Sequence, residues 1–272
     1  MITEPTPFRA GQPLAWTFHR GTVRLLFSTP EAATPPPEPG REDPTAPWVP
    51  LPAGPPVPGA LDELVRDRVS CRVFRDEPIG LAELATLLRI GYGPTVATAG
   101  SSPYPMDRAV PSAGALYPLE VSVLVRAVDD LPAGIYHYVP AADGLERVRG
   151  DAVPPPVVDQ VFMNQPWAAG AAVVLVLSAV CRRSLGKYGD RGYRYLLLEA
   201  GHVAQNVVLA ATGLGLGSIN LGGFFDDELS GLLALDAESE VVLYGTAVGR
   251  AASVDRAGRR GASLTGGSAF LG

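Results

Sequence analysis

Lys187 and Tyr188 stand side by side in SLGKYGDRGYRYLLLEAGHVAQN (184–206), an amine next to a phenol at the entrance to an apolar run. A lysine works as a base only where burial or a neighbouring cation draws its pKa towards neutrality. Arg182, Arg183, Arg191 and Arg194 are close enough in sequence to act as such cations. The plain alternative is a solvated lysine in a loop, the commonest setting for that residue. The pair alone leaves both readings open, and the deciding question is whether the chain can hold a redox centre beside it.

Three other stretches bear on that question. RDRVSCRVF (66–74) places Arg66, Arg68, Ser70 and Arg72 at alternate positions. On an extended segment these share one face and offer charge and hydroxyl donors to a phosphate; an exposed basic edge would show the same pattern. AVPSAGALYPLEV (109–121) sets Ser112, Ala113 and Gly114 in a small-residue turn ahead of an apolar run. Gly114 lacks the Cβ that would keep a flat ligand from the backbone. TGLGLGSINLGG (212–223) imitates a dinucleotide fingerprint, but its glycines follow a helix and precede a strand, the reverse of the order that motif needs. Gly215 instead reads as a helix end and Gly222–Gly223 as a second loop of close approach. His202 lies mid-helix among Ala and Val and reads as a hydrogen-bonded core residue; neither His19 nor His137 gives it a metal partner. No metal is expected.

The elements that must position these residues follow from periodicity. Residues 14–28 alternate as a short strand or hairpin would. Residues 29–60 carry twelve of the 27 prolines and read as an extended arm over the surface of its own or a partner subunit. Helices are predicted at 60–68 and 79–93, the second stopped by Gly91 and Gly93. A long Ser-, Pro- and Gly-rich loop covers 94–117. Strands are predicted at 119–128, at both ends of 131–148 around an Asp-Gly turn, and at 171–179. A short helix at 157–164, the longest helix at 191–215, a strand at 216–223, a helix at 225–235 and a strand at 240–249 complete the order. The tail from 251 to 272 reads as flexible. Mixed strands and helices give an α+β or α/β sheet with helices packed on it.

With 272 residues, the chain can bury roughly three quarters of the surface it exposes when unfolded, enough for a large core without staples. A net charge of −6 argues against a nucleic-acid partner, which would leave a basic face. Cys71 and Cys181 form no metal-ligand spacing, and a reduced cytoplasmic protein is the simple reading. The start MITEPTPF shows no secretion signal, and the longest apolar run, AAGAAVVLVLSAVC (168–181), is too short for a bilayer.

Taken in order, RVSCRVF (68–74), PSAGALYPLEV (111–121), GIYHYVPAADGLERV (134–148), KYGDRGYRYLLLEAGHVAQN (187–206), LGLGSINLGGFFDDEL (214–229) and LYGTAVGR (243–250) resemble the flavin-dependent nitroreductase superfamily. Within it they resemble the SagB-type dehydrogenases, which oxidise azolines in ribosomal peptide natural products. The resemblance implies an α+β nitroreductase-like fold over 60–250, with a mainly antiparallel sheet flanked by helices, and a homodimer with FMN at the subunit interface. Residue by residue, it gives Arg68, Ser70 and Arg72 to the FMN phosphate and ribityl chain. Ser112, Ala113 and Gly114 match the loop against the flavin ring, Gly222 and Gly223 the second flavin loop, and Arg250 a phosphate-side cation. Lys187 and Tyr188 match the proton-transfer pair. The implied reaction turns a thiazoline or oxazoline of a precursor peptide into a thiazole or oxazole, alongside cyclodehydratase subunits and with oxygen as electron sink. An NAD(P)H-driven nitro- or ene-reductase and a non-catalytic scaffold subunit are the alternatives. The usual nitroreductase Asn near the flavin loop is not evident, and residues 1–59 match no part of the family.

Overall fold

The computed structural model describes residues 13–22, 43, 45–95, 107–236 and 238–252. Its elements, in chain order, begin with helix α1 (Pro13–Gly21), strand β1 (Trp48–Pro50), α2 (Leu61–Asp67), α3 (Leu81–Tyr92) and β2 (Leu119–Val125). They continue with β3 (Gly134–Val139), β4 (Gly144–Arg149), α4 (Pro155–Val161), α5 (Pro166–Gly170), β5 (Val173–Val180) and α6 (Cys181–Tyr188). The last are α7 (Gly192–Gly213), β6 (Gly217–Leu221), α8 (Asp226–Leu232) and β7 (Glu240–Gly249). The strands form a seven-stranded sheet in the order β1-β4-β3-β2-β5-β7-β6, every neighbouring pair antiparallel.

The most apolar runs make the middle of that sheet because both of its faces are covered. Successive side chains of a strand point to opposite faces. Leu119, Val121, Val123 and Val125 join Leu84 and Leu88 of α3 and Val203 and Val207 of α7 in one core. Leu124, Val174 and Val176 join Val158, Phe162 and Leu229 in the other. A strand buried on both sides needs no alternation, so LEVSVLV and VVLVLSAV read as near-continuous apolar runs. The result is an α+β sheet flanked by helices, as the sequence reading expects. Among the described residues, no helix is long and apolar enough to cross a membrane.

Four local expectations are corrected. Residues 14–21 form helix α1 rather than a strand or hairpin; residues 23–28 lie outside the described set. The helix is fixed from the side by Arg191, which donates to Thr22 O at 2.9 Å, and by Arg194, which donates to Thr22 Oγ1 and His19 O. Gly91 does not stop α3: it sits inside the helix, where a Cβ would lie 2.7 Å from Val207 Cγ2, so its bareness lets α3 and α7 approach. The helix ends at Gly93. Arg66 belongs to α2 and pairs with Asp62 one turn back, so it does not share an extended face with Arg68, Ser70 and Arg72. Finally, residues 181–188, left without regular structure by the sequence reading, are helix α6.

The proline-rich arm lies on its own subunit where it is described. Strand β1 pairs with β4 from Trp48↔Glu146 to Pro50↔Gly144, at the edge, where a proline costs no ladder bond. Arg89 of α3 locks it down: its guanidinium donates to Asp143 in the β3–β4 turn (2.7–3.0 Å), to Pro52 O (2.7 Å) and to Leu51 O (3.1 Å). Removing it strands two carbonyls and a carboxylate. Arg89→Ala is expected to lower stability by about 1–3 kcal/mol and to expose residues 45–56 to protease. Unchanged urea midpoint and cleavage pattern would refute this.

Candidate active site

Helix α6 follows β5 directly and carries Lys187 and Tyr188 in its last turn, both half-buried. Gly189, at φ 56°, turns the chain through a single 3-10 turn into α7. Tyr188 packs edge-on against Tyr195 of α7, ring centroids 5.0 Å apart, and Lys187 Nζ lies 5.4 Å from the Tyr188 ring centre. The two polar tips converge on one backbone position in a distant loop. A Cβ built on Gly114 would sit 2.6 Å from Tyr188 OH and 2.9 Å from Lys187 Nζ. Gly114 also has φ 64°, a left-handed conformation that side chains resist. An amine and a phenol therefore share a small space whose floor is bare backbone.

Three of the four arginines expected to serve as neighbouring cations have other partners. Arg183 donates to Glu120 Oε1 at 2.7 Å, while Arg191 and Arg194 hold α1. Behind the pair, loop 112–117 is held by a buried carboxyl that the sequence reading did not single out. Ser112 Oγ accepts from Tyr117 N (2.9 Å) and donates to Glu199 Oε2 (2.5 Å). Tyr92 OH accepts from Leu119 N (3.2 Å) and donates to Glu199 Oε1 (2.8 Å). Arg108 stacks 4.3 Å from the Tyr92 ring centre and 5.1 Å from that of Tyr117. The signal for Glu199 was present: it is the lone acid of α7 and shares the phase of Leu196, Ala200 and Val203, all buried. His202, read as the core residue, is one step out of that phase and exposed.

Burial raises the Glu199 carboxyl from its ordinary 4.5 to about 7, although Ser112, Tyr92 and Arg108 oppose the rise. A group that binds its proton more tightly when folded stabilises most below its unfolded pKa, and that contribution fades as pH rises towards the folded value.

The phosphate-side candidates lie around the edge strand β6 and the end of β7. Arg68 caps α2, Ser70 forms a parallel bridge with Ser218 of β6, and Cys71 N donates to Ser218 O at 2.8 Å. Gly217 makes room for that strand-like segment, since a Cβ there would lie 2.7 Å from Cys71 Sγ. The Arg72 guanidinium lies 5.7 Å from the Trp167 ring centre. Arg250 is paired through both terminal nitrogens with Glu83 (2.7 and 2.9 Å) and donates to Pro78 O. Gly222 and Gly223 follow β6, and Gly223 O accepts from Gln165 Nε2 at 2.8 Å.

Strand polarity sorts these residues. β5 and β6 are both antiparallel to β7, and β2 starts opposite the end of β5. Ser112–Gly114 and Lys187–Tyr188 are thus at one end of the sheet, and Gly222–Gly223 follow β6 half-way along β7, where Leu221 pairs with Gly245. Arg68, Ser70 and Arg250 flank the pairing of Gly217 with Gly249 at the other end. Among the described residues no group of three or more His, Cys, Asp or Glu could hold a metal ion.

Comparison with known proteins now bears on this arrangement. The profile of the Nitroreductase family matches residues 65–250. The chain belongs to the nitroreductase family. It is 38% identical over 175 residues to the Methanocaldococcus jannaschii protein MJ1384, whose name places it with the nitroreductases; the match covers 64% of this chain and 84% of that one. It is 32% identical over 149 residues to the Escherichia coli Microcin B17-processing protein McbC, covering 50% of this chain and 52% of McbC. A crystal structure of a nitroreductase-named protein from Anabaena variabilis superposes with a TM-score of 0.73 at 29% identity, over 92% of this chain and 49% of that one. The chain thus spans about half the length of McbC and of the Anabaena protein.

The residues present fit a flavin mononucleotide. The charges of Arg68 and Arg72 and the hydroxyl of Ser70 suit a phosphate, and the bare backbone of Gly114 and Gly223 is what lets Lys187, Tyr188 and Gln165 come close, since a Cβ at either glycine would lie within 3.0 Å of one of them. Two outcomes follow. Gly114→Ala is expected to displace the flexible tips of Lys187 and Tyr188, cutting turnover at least ~10-fold with a stability loss of only about 1 kcal/mol; a fully active variant would refute the convergence. Glu199→Gln is expected to flatten the pH dependence of stability, recovering on the order of 3 kcal/mol that the native protein loses between pH 4 and pH 8. Parallel pH profiles of the two urea midpoints would refute the assignment.

Proposed function

We propose that this chain is an FMN-dependent dehydrogenase that oxidises thiazoline or oxazoline rings of a precursor peptide to thiazoles or oxazoles. The observation that carries this reading is the meeting of Lys187 Nζ, Tyr188 OH and the bare Gly114 backbone. The similarity to McbC, named for processing microcin B17, supports a peptide as the substrate.

Arg68, Ser70 and Arg72 would hold the FMN phosphate and ribityl chain, with Ser112–Gly114 and Gly222–Gly223 beside the ring. Arg250 would add positive charge on the phosphate side while paired with Glu83. When bound, FMN would supply a two-electron acceptor for the hydride leaving the azoline, with oxygen as its eventual oxidant. The proton from the neighbouring ring carbon goes to Lys187, directly or through Tyr188. Loss of both hydrogens leaves an aromatic ring, which drives the reaction forward. The half-buried setting keeps the amine and phenol oriented towards the ring and limits exchange with bulk water.

A homodimer belongs to this reading. Phosphate-side and proton-transfer residues fall at opposite ends of one sheet, and a second copy would complete each site. A precursor peptide and cyclodehydratase subunits are the proposed partners.

The test is mass spectrometry on an azoline peptide. Native protein should remove two hydrogens per ring; Lys187→Ala should be slower by ~100- to 10,000-fold while retaining its flavin absorbance. An unchanged rate in that variant would overturn the role. The match to MJ1384 favours a second reading, an NAD(P)H-driven nitro- or ene-reductase. Rapid bleaching of the bound flavin by NADPH, with no peptide present and no azoline oxidation, would decide for it.

A further inference from the structure

Loop 112–117 is unusually constrained for a surface connection. Gly114, Ala115 and Tyr117 all have positive φ (64°, 53° and 43°), and two of the three carry side chains. Backbone in that region persists only where its surroundings over-determine it. The surroundings here are one carboxyl and its partners. Glu199 lies 87 residues from Ser112 and 107 from Tyr92 in sequence, yet it binds both.

The proton accounting is specific. The hydroxyls of Ser112 and Tyr92 each accept a backbone N–H, from Tyr117 and Leu119 respectively. Each hydroxyl proton is then free to point at Glu199, and the two oxygens of one carboxyl take one proton apiece. Burial lifts the Tyr92 phenol well above its ordinary pKa, so it remains a donor. Ser112 at the start and the Leu119 amide just past the end bracket Gly114, Ala115 and Tyr117. A group that fixed only the helix packing would need neither amide.

We propose that Glu199 is a positioning residue: through Ser112 and Tyr92 it clamps both ends of the strained 112–117 loop, and so sets the Gly114 backbone against Lys187 and Tyr188. Arg108, stacked on Tyr92 and Tyr117, closes the clamp from the other side. The catalytic consequence rests on the dehydrogenase reading above; the clamp itself does not.

Hydrogen exchange is the direct test, since it needs neither flavin nor substrate. In Glu199→Gln and in Ser112→Ala, the amides of Ala115, Tyr117 and Leu119 should exchange at least tenfold faster than in the native protein. Val203→Ala, which loosens the same helix but removes no hydrogen bond of the clamp, should leave them within twofold. Exchange unchanged in both clamp variants, or equally raised in Val203→Ala, would overturn the proposal. Ser112→Ala removes a single hydroxyl and keeps the test decisive should Glu199→Gln fail to fold. With an azoline peptide, Ser112→Ala should lower kcat about tenfold with KM within threefold. An unchanged kcat beside a loosened loop would overturn the link to Lys187 while leaving the clamp standing. If the native protein oxidises no azoline, the functional reading fails and the exchange comparison still decides the clamp.

Discussion

A carboxyl inside an apolar helix is the constraint around which this end of the molecule is arranged. Placing Glu199 between α3, α7 and the 112–117 loop removes it from water, which works against its charged form. The fold answers with two hydroxyl donors and the Arg108 guanidinium nearby, enough to satisfy both oxygens although burial still holds the pKa near 7. A well-packed apolar side chain at the same place would satisfy the helix equally well. What it could not do is tie together three segments far apart in sequence, each through a backbone amide or a loop hydroxyl.

The same logic recurs across the sheet. Glu120 and Glu146 are buried on either side of His137, at 2.8 and 3.3 Å from its ring nitrogens. Burial alone would raise the Glu120 pKa, but the His137 hydrogen bond and the Arg183 charge hold it down at about 2. Arg183 is on α6, one helical turn before Lys187, so this buried ion pair fixes α6 to the start of β2. Both helices that carry the candidate chemistry are therefore anchored by charges set inside a largely apolar sandwich. Such pairs are poor sources of net stability, yet removing one partner is costly, which makes them effective at fixing geometry.

The sequence was most legible where a single physical rule decided the outcome. From 119 to 249 the strands and the long helix follow from doubly buried apolar runs and helical spacing, and Glu240–Gly249 is read to the residue. Where two rules competed, the reading failed. LAWTFHRG satisfies alternation and helical spacing alike, and its contact with Arg194 decides for helix α1. CRRSLGKY has too few apolar residues to announce a helix, and α6 is held by its neighbours instead. For α7, attention to the rarer histidine outweighed the phase of the helix, which places residue 199 inward and 202 outward. Gly91 shows the related error of treating a glycine as a stop when it marks a close approach.

The meeting of Gly114 with Lys187 and Tyr188 was not legible from spacing at all. It joins a loop before β2 to a helix after β5, and only the pairing of Leu119 with Ala179 brings those strand ends together. A seven-stranded antiparallel sheet has to be assembled before the amine has a floor. The same sheet then keeps the proposed phosphate donors at its far end, where Gly249 pairs with Gly217 and Arg250 turns back onto Glu83. No loop rearrangement within one chain closes a distance set by strand length, because β2, β5 and β7, each paired on both sides, do not slide. A ligand that needs both groups must lie along the sheet edge or draw one of them from another copy. In the dehydrogenase reading that geometry, rather than any single residue, is what would make a site shared between two copies useful.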